Sequence, residues 1–505
     1  MRETEKRTKA VFLTALFVCY LIFNGILLWG HELWRDEANV WLLARELSPF
    51  ELLREIKYQG HPCLWYFLAM PFAKLGFPFK TLSVLSFLVM SAAAGLFVYR
   101  GPFSPVSKAA ALFSPIFSYF YSVVARNYCL IALLLILLAY FYKKRWEKPL
   151  LYGLLLGLLV QADSIAIAPA GLISAMWLFE GASGSLRRRE SGPLRAAATG
   201  LWIPLISVLF WFLQFYQVSE SPEYHFRMLP IAELLTEIRN FTYVILTRLT
   251  GCGKRVDQLL ILLFLAAAVL AGIRLRSAWP GLVVAGAFLF EILFSIMVYQ
   301  LHIWHYIALC FVLIWFIWVS GRDEGAEKAG ERDRIAAAAF AVSEILLILL
   351  SVLMFTSWNS EKESSSLANA LFGVYSDGKN TASYIRENIQ KEELVVSVNV
   401  SQASTVLAYL GPEYEFYFAG TLRPETYADY RGEQSAEIAY EELLDWIRTN
   451  YPEKEVFYLL ESPGSCLVDV PDGEKESWVP CYETGAETAR GESYGVYRIA
   501  LCEKD

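Results

Sequence analysis

Apolar runs about twenty residues long, separated by short polar clusters, recur along the first 356 positions of the chain. A helix needs about 20 apolar residues to cross a bilayer core. The pattern therefore predicts a polytopic α-helical membrane protein. Eleven spans are expected: 11–29, 79–99, 106–124, 128–142, 150–168, 169–180, 197–216, 258–273, 280–298, 303–320 and 335–356. The apolar stretch 61–77 is expected to lie in the outer interface, because counting it as a span spoils the charge pattern below. The segment 37–58 alternates Val40, Leu43, Ala44 and Leu47 with Asn39, Arg45, Glu46, Glu51, Arg54 and Glu55. That spacing predicts interfacial helices broken at Ser48-Pro49.

After about position 357 the long apolar runs stop. Short buried strands are expected at 394–400 and 455–460, and amphipathic helices at 384–390 and 436–448. Turn signals stand at Ser462-Pro463-Gly464 and Pro471-Asp472-Gly473. Two domains are expected: a transmembrane part over 1–356 and a small α/β domain over 357–505.

The basic residues orient the spans. They cluster at Arg2, Lys6, Arg7 and Lys9; at Arg100 and Lys108; at Lys143, Lys144, Arg145 and Lys148; at Arg187, Arg188, Arg189 and Arg195; at Arg274 and Arg276; and at Arg322, Lys328, Arg332 and Arg334. With the spans above, every cluster falls on one side, which the positive-inside rule makes the cytoplasm. The first span is expected to be retained, since no small-residue cleavage site follows it. Four parts then lie outside: 30–78, the turn at Arg126, the loop 217–257 and the domain after 357. That domain carries 27 acids against 12 bases, so the net charge of -7 hides a basic membrane part under an acidic cap.

Composition excludes several classes. With 56% hydrophobic residues and its basic residues in short loops, the chain has no nucleic-acid signature. It has no Gly-rich phosphate loop, no fixed repeat and no Cys/His spacing of a structural zinc site. Cys19, Cys129 and Cys310 read as buried apolar residues, while Cys466 and Cys481 could form a disulfide with Cys502 left over.

The candidate chemistry sits at outer membrane edges. Asp36 and Glu37 follow the first span. Carboxylates there suit a general base toward a hydroxyl, or a metal ligand; the structural alternative is a pair of helix N-terminal acids. His61-Pro62 opens the next interfacial helix, with His61 a ligand contact or a cap. Arg126, at the outer end of the third span, could grip a phosphate or pair with Asp36 or Glu37. Asp163 ends the fifth span as a functional acid or a hydrogen-bonded structural one. His302 and His305 begin the tenth span as ligand contacts or as part of an aromatic belt with Trp304 and Tyr306.

This ordered set resembles the GT-C superfamily of integral-membrane glycosyltransferases, in its protein O-mannosyltransferase, aminoarabinose-transferase and RgtA/B/C/D-like branch. The likeness covers about 1–356 and rests on Asp36-Glu37 in the first outer loop, His61-Pro62-Cys63-Leu64, Ala125-Arg126 through Tyr128, and Trp304-His305 before a late aromatic span. The chain departs from the pattern at Cys63 (a second Pro), at Val124 (an acid) and at Trp304 (an Arg). The resemblance implies an inverting transfer from a polyprenyl-phosphate sugar donor to a glycan, lipid or protein acceptor, outside the cytoplasmic membrane. Asp36 is then the base, with Glu37 orienting it or sharing a cation. His61, Arg126, Tyr128, Asp163, His302 and His305 are the expected substrate contacts. A divalent metal on Asp36 and Glu37 stays open. A transporter or flippase of lipid-linked sugar places its polar residues near the midplane of repeated halves, which this chain does not. A glycan ligase or polymerase and an inactive glycolipid-binding relative are the other readings.

Overall fold

Inside a bilayer the backbone satisfies its own hydrogen bonds, so each apolar run folds as helix unless a polar side chain stands in for the missing partner. The computed structural model describes residues 2–216, 226–321, 331–360, 366–430, 433–434, 436–462, 468–471, 473–485, 488 and 491–501. Its membrane part comprises α1 (Arg2–Gly30), α2 (Arg35–Glu46), α3 (Pro49–Glu55), α4 (Leu64–Lys74), α5 (Thr81–Arg100), α6 (Pro105–Leu112), α7 (Tyr128–Phe141), α8 (Pro149–Val160), α9 (Ile167–Arg188), α10 (Gly192–Phe215), α11 (Ile231–Thr250), α12 (Lys254–Leu275), α13 (Trp279–Met297), α14 (Ile303–Ser320) and α15 (Glu331–Ser360).

Among the described residues, eight helices rather than the expected eleven are long and apolar enough to cross a membrane: α1, α5, α9, α10, α12, α13, α14 and α15. The expected span 106–124 is not one helix. It is α6 followed by an irregular segment in which Tyr119 takes a left-handed φ of 69°. Serines cause the break, because their hydroxyls compete for backbone partners. Ser114 and Ser118 donate to the Ala111 and Leu112 carbonyls. From α1, Asn24 accepts from the Tyr119 N–H at 3.2 Å and the Ser122 hydroxyl at 2.7 Å. The expected boundary at 168–169 lies instead at a turn over 161–166, and α9 runs on to Arg188. In that turn Asp163 accepts from the Ile165 N–H at 2.9 Å. The loop 217–257 contains α11, whose two ends lie at the same end of the bundle. There Arg227 N–H donates to the Met297 carbonyl, and Arg248 to that of Leu301. Residues 217–225 lie outside the described residues, as do Arg322, Lys328, Cys466 and Cys502.

The two ends of the bundle are tied by different groups. At one end Lys80, before α5, donates to the His31 carbonyl after α1, and the cavity described below opens. At the other, Arg145 pairs with Glu180 at 2.7 Å and Arg274 donates to the Ser320 carbonyl. Small residues let the helices close up. A Cβ on Gly153 of α8 would run into the Gly200 carbonyl oxygen of α10.

Beyond α15 come α16 (Leu367–Phe372), α17 (Gly378–Asn388), β1 (Val395–Ser397), α18 (Val400–Leu410), β2 (Phe416–Phe418), β3 (Arg423–Glu425), β4 (Ile438–Ala439), α19 (Tyr440–Asn450), β5 (Val456–Glu461), β6 (Val468–Asp469), β7 (Val479–Glu483) and β8 (Gly495–Ala500). The expected small α/β domain is present. Six strands form one sheet in the order β3-β2-β1-β5-β8-β7, and β4 pairs with β6. β1 is parallel to β2 and β5, with Val396 facing Tyr417 and Leu459 in register. Val396, Phe457, Leu459, Leu443 and Ile447 make its own core. On its other side α18 packs against α2, so this domain sits over the segment between α1 and α5.

Candidate functional site

The segment between α1 and α5 begins with α2, and its opening turn separates two neighbouring acids. Glu37, at the third helical position, turns back to accept the Trp34 N–H at 3.1 Å. It also accepts from His31 Nε2 at 3.0 Å and from the Ala125 N–H at 2.5 Å. It is fully buried and lies outside the cavity lining. Asp36, about 100° around the helix, lines the cavity and accepts from Arg126 Nη1. Burial opposes its charge, but Arg126, Arg35 and His61 outweigh that cost and hold its carboxyl below the usual carboxylate range.

Arg126 projects from the irregular segment after α6, whose Ala125 N–H is clamped by Glu37. One of its Nη atoms meets Asp36 and the other His61 Nε2. An arginine only donates, so His61 Nε2 is the acceptor and its proton sits on Nδ1. Nδ1 faces Asp163 Oδ2 at 3.3 Å. Asp163 is further held by Asn127 Nδ2 at 2.6 Å. Burial opposes its charge too, but His61, together with His305 and the Ile165 N–H, holds its carboxyl below the usual carboxylate range. The result is one hydrogen-bonded line, Asp36–Arg126–His61–Asp163, with a carboxylate at each end, joining four separate segments. Arg126 Nε has no hydrogen-bond partner among the described residues.

A second pair stands beside that line. His305 Nδ1 accepts the His302 N–H at 2.9 Å, which caps α14 and leaves the proton on Nε2. Nε2 is 3.0 Å from the Tyr128 hydroxyl. Tyr128 stacks on Tyr121 with centroids 5.5 Å apart. The Arg126 guanidinium lies 5.8 Å from the Tyr128 ring. Trp304 contributes its carbonyl to the Tyr121 hydroxyl at 2.8 Å. Cys63 donates its N–H to Gln214 at 3.0 Å, which ties the start of α4 to α10.

Asp36, His61, Arg126, Tyr128, Asp163, His302 and His305 all line one cavity of about 1020 Å³. Its polar and aromatic wall is large for a small-molecule site, typically about 300–1,000 Å³. Ser401 and Tyr430 of the C-terminal domain complete it. The sequence reading missed Thr247 and Arg248, which reach the wall from α11. A signal was present: Ile231, Leu234, Ile238, Phe241, Ile245 and Leu249 recur at helical spacing. Arg248 donates to the Leu301 carbonyl at 3.2 Å and has no carboxylate partner within ion-pair distance among the described residues. Arg35, the third arginine of the wall, lies 3.9 Å from Asp36 and 4.0 Å from Glu492. Among the described residues no three His, Cys, Asp or Glu side chains converge as a metal site.

No family model and no curated protein matches the chain. Solved structures do. The chain is similar to ArnT from Cupriavidus metallidurans in the apo state, with a TM-score of 0.50 and 12% identity over 99% of this chain and 100% of that one. It is similar to the same protein bound to undecaprenyl phosphate, with a TM-score of 0.51 and 12% identity over 98% and 99% of the two chains. The shared fold spans both proteins nearly end to end, C-terminal domain included.

Proposed function

From a chain that carries the ArnT-like GT-C fold throughout, we propose an inverting glycosyltransferase that moves a sugar from a polyprenyl-phosphate donor to an acceptor hydroxyl. The observation that carries this reading is one cavity holding an ionised acid, Asp36, and an arginine without a carboxylate partner among the described residues, Arg248. Binding of undecaprenyl phosphate by ArnT, which shares the fold, supports a donor of the same class here.

Asp36 takes the proton of the acceptor hydroxyl. The hydroxyl oxygen then attacks the anomeric carbon as the bond from that carbon to the phosphate oxygen breaks. Charge grows on the departing lipid phosphate, so a preset cation stabilises the transition state more than the ground state. Arg248 takes that role. Arg126 is engaged by Asp36 and His61, so its part is to orient the base and keep it ionised. One displacement with one base inverts the anomeric centre.

The side of the membrane follows from charge. The described basic clusters at Arg145 and Arg274 gather at the end opposite the cavity. The positive-inside rule puts that end in the cytoplasm and the cavity outside. Mass spectrometry of lipid extracts tests the reading. A strain lacking this chain should accumulate a polyprenyl-phosphate sugar, and the pool should clear when the chain is restored. An unchanged pool would contradict it.

A further inference from the structure

The base of a displacement must be held to within a fraction of an ångström, yet α2 starts only four residues after a membrane span ends. The first N–H groups of a helix have no partner within it. The side chain of Trp34, at the cap position, does not cap the helix, and Glu37 turns back to the Trp34 N–H. That leaves the N–H groups of Arg35 and Asp36, of which the first is bound from outside the helix. Glu492, 457 residues further along the chain, accepts it at 3.0 Å.

Three more bonds to the C-terminal domain flank the same turn. The Leu33 N–H donates to the Tyr409 hydroxyl of α18 at 3.0 Å. The Asn39 side chain donates to the Ala428 carbonyl and accepts the Ala428 N–H, both at 2.9 Å. Glu492 is itself fully buried and is fixed by the Ser376 hydroxyl at 2.7 Å and that of Thr405 at 3.2 Å. Desolvation pushes its carboxyl up to about 7. A carboxyl is costly to bury, so the bonds it accepts are what this position offers over an apolar residue.

We propose that the acidic C-terminal domain is the positioning element of the transfer site, capping α2 from outside through Glu492 so that Asp36 faces the cavity. Glu492 is a positioning residue, since it touches α2 and not the cavity. The proposal rests on Asp36 as the base, but its test needs no substrate. Hydrogen exchange is followed by mass spectrometry on the full chain in nanodiscs, reading peptides over 31–40 and, as control, over β5.

Glu492→Leu keeps the bulk and loses the acceptor. Exchange at 33–38 should rise about tenfold, the scale of one lost capping bond at a buried donor, while β5 stays native. Glu492→Gln keeps an acceptor oxygen and should restore native exchange. In a transfer assay the Leu variant should lose turnover with an unchanged KM for donor, and the Gln variant should recover it. Native exchange at 33–38 in the Leu variant, or an equal rise in β5, overturns the proposal. If the Leu variant cannot be purified, Tyr409→Phe removes the acceptor of the Leu33 N–H and must raise the same peptide. Absence of transfer by every protein, the wild type included, would sink the enzyme reading and leave the exchange result to decide this one.

Discussion

One residue along α2 separates two acids with unlike surroundings. Glu37 answers three donors and is sealed from the cavity; Asp36 answers one arginine and faces it. Asp36→Asn should fold normally and lose about 10²–10⁴-fold in transfer, because the amide takes no proton. Glu37→Ala should instead cost about 2–4 kcal/mol of stability, since it strands buried donors in two segments. Thermal melting in detergent separates the two effects. An Asn variant that melts early, or an Ala variant that melts like the wild type, would reverse the assignment. The pH profile adds a sign. Arg126 helps depress the Asp36 carboxyl, so the base stays ionised to pH values below the usual carboxylate range. Arg126→Ala should shift the acid limb of turnover upward; an unmoved limb would detach Arg126 from Asp36. The Asp-Glu pair is plain in the sequence. Which of the two faces the cavity is not, because it depends on Ala125 and Arg126, some ninety positions away.

At the level of elements, irregular backbone and one overlooked helix build most of the site. The segment after α6 leaves helical form because Asn24 and three serines supply alternative partners, and this places Arg126 at the cavity. Hydropathy alone reads 106–124 as a span, since its apolar content is unaffected by the break. The amphipathic α11 sits in what reads as a loop and brings Arg248 to the wall. Arg248→Ala tests the phosphate assignment. Undecaprenyl phosphate at about 100-fold over its Kd should stabilise the wild type by about 2.7 kcal/mol, read as a higher melting temperature. The variant should gain far less, and Arg126→Ala should keep most of the gain. The reverse order would return the phosphate to Arg126.

Across the whole molecule, charge is divided between two parts. Residues 1–356 carry 24 acids against 32 bases, and 357–505 carry 27 against 12. This asymmetry and the span-edge positions of Asp36, His61, Arg126, Asp163, His302 and His305 are legible in the sequence, because burial cost confines charges to membrane edges. The clasp of the cap on α2 is not legible, because its partners, such as Arg35 and Glu492, lie hundreds of positions apart. The basic loops of the membrane part also predict a sidedness that can be tested. Single cysteines at Lys144 and at Arg423, both exposed, should react differently with an impermeant thiol reagent in intact cells. Label at 423 and not at 144 is expected; the opposite pattern would put the cavity in the cytoplasm.

The most direct test of the central claim joins base, donor and stereochemistry in one assay. The lipid-linked sugar that accumulates without this chain is purified and given to the protein in nanodiscs with an acceptor extract. The product is read by mass spectrometry and its anomeric configuration by NMR. Wild type should release the polyprenyl phosphate and form a glycosidic bond of opposite anomeric configuration to the donor, and Asp36→Asn, equally stable, should form almost none. Retained configuration, or transfer by the Asn variant at the wild-type rate, would contradict an inverting displacement with Asp36 as its base.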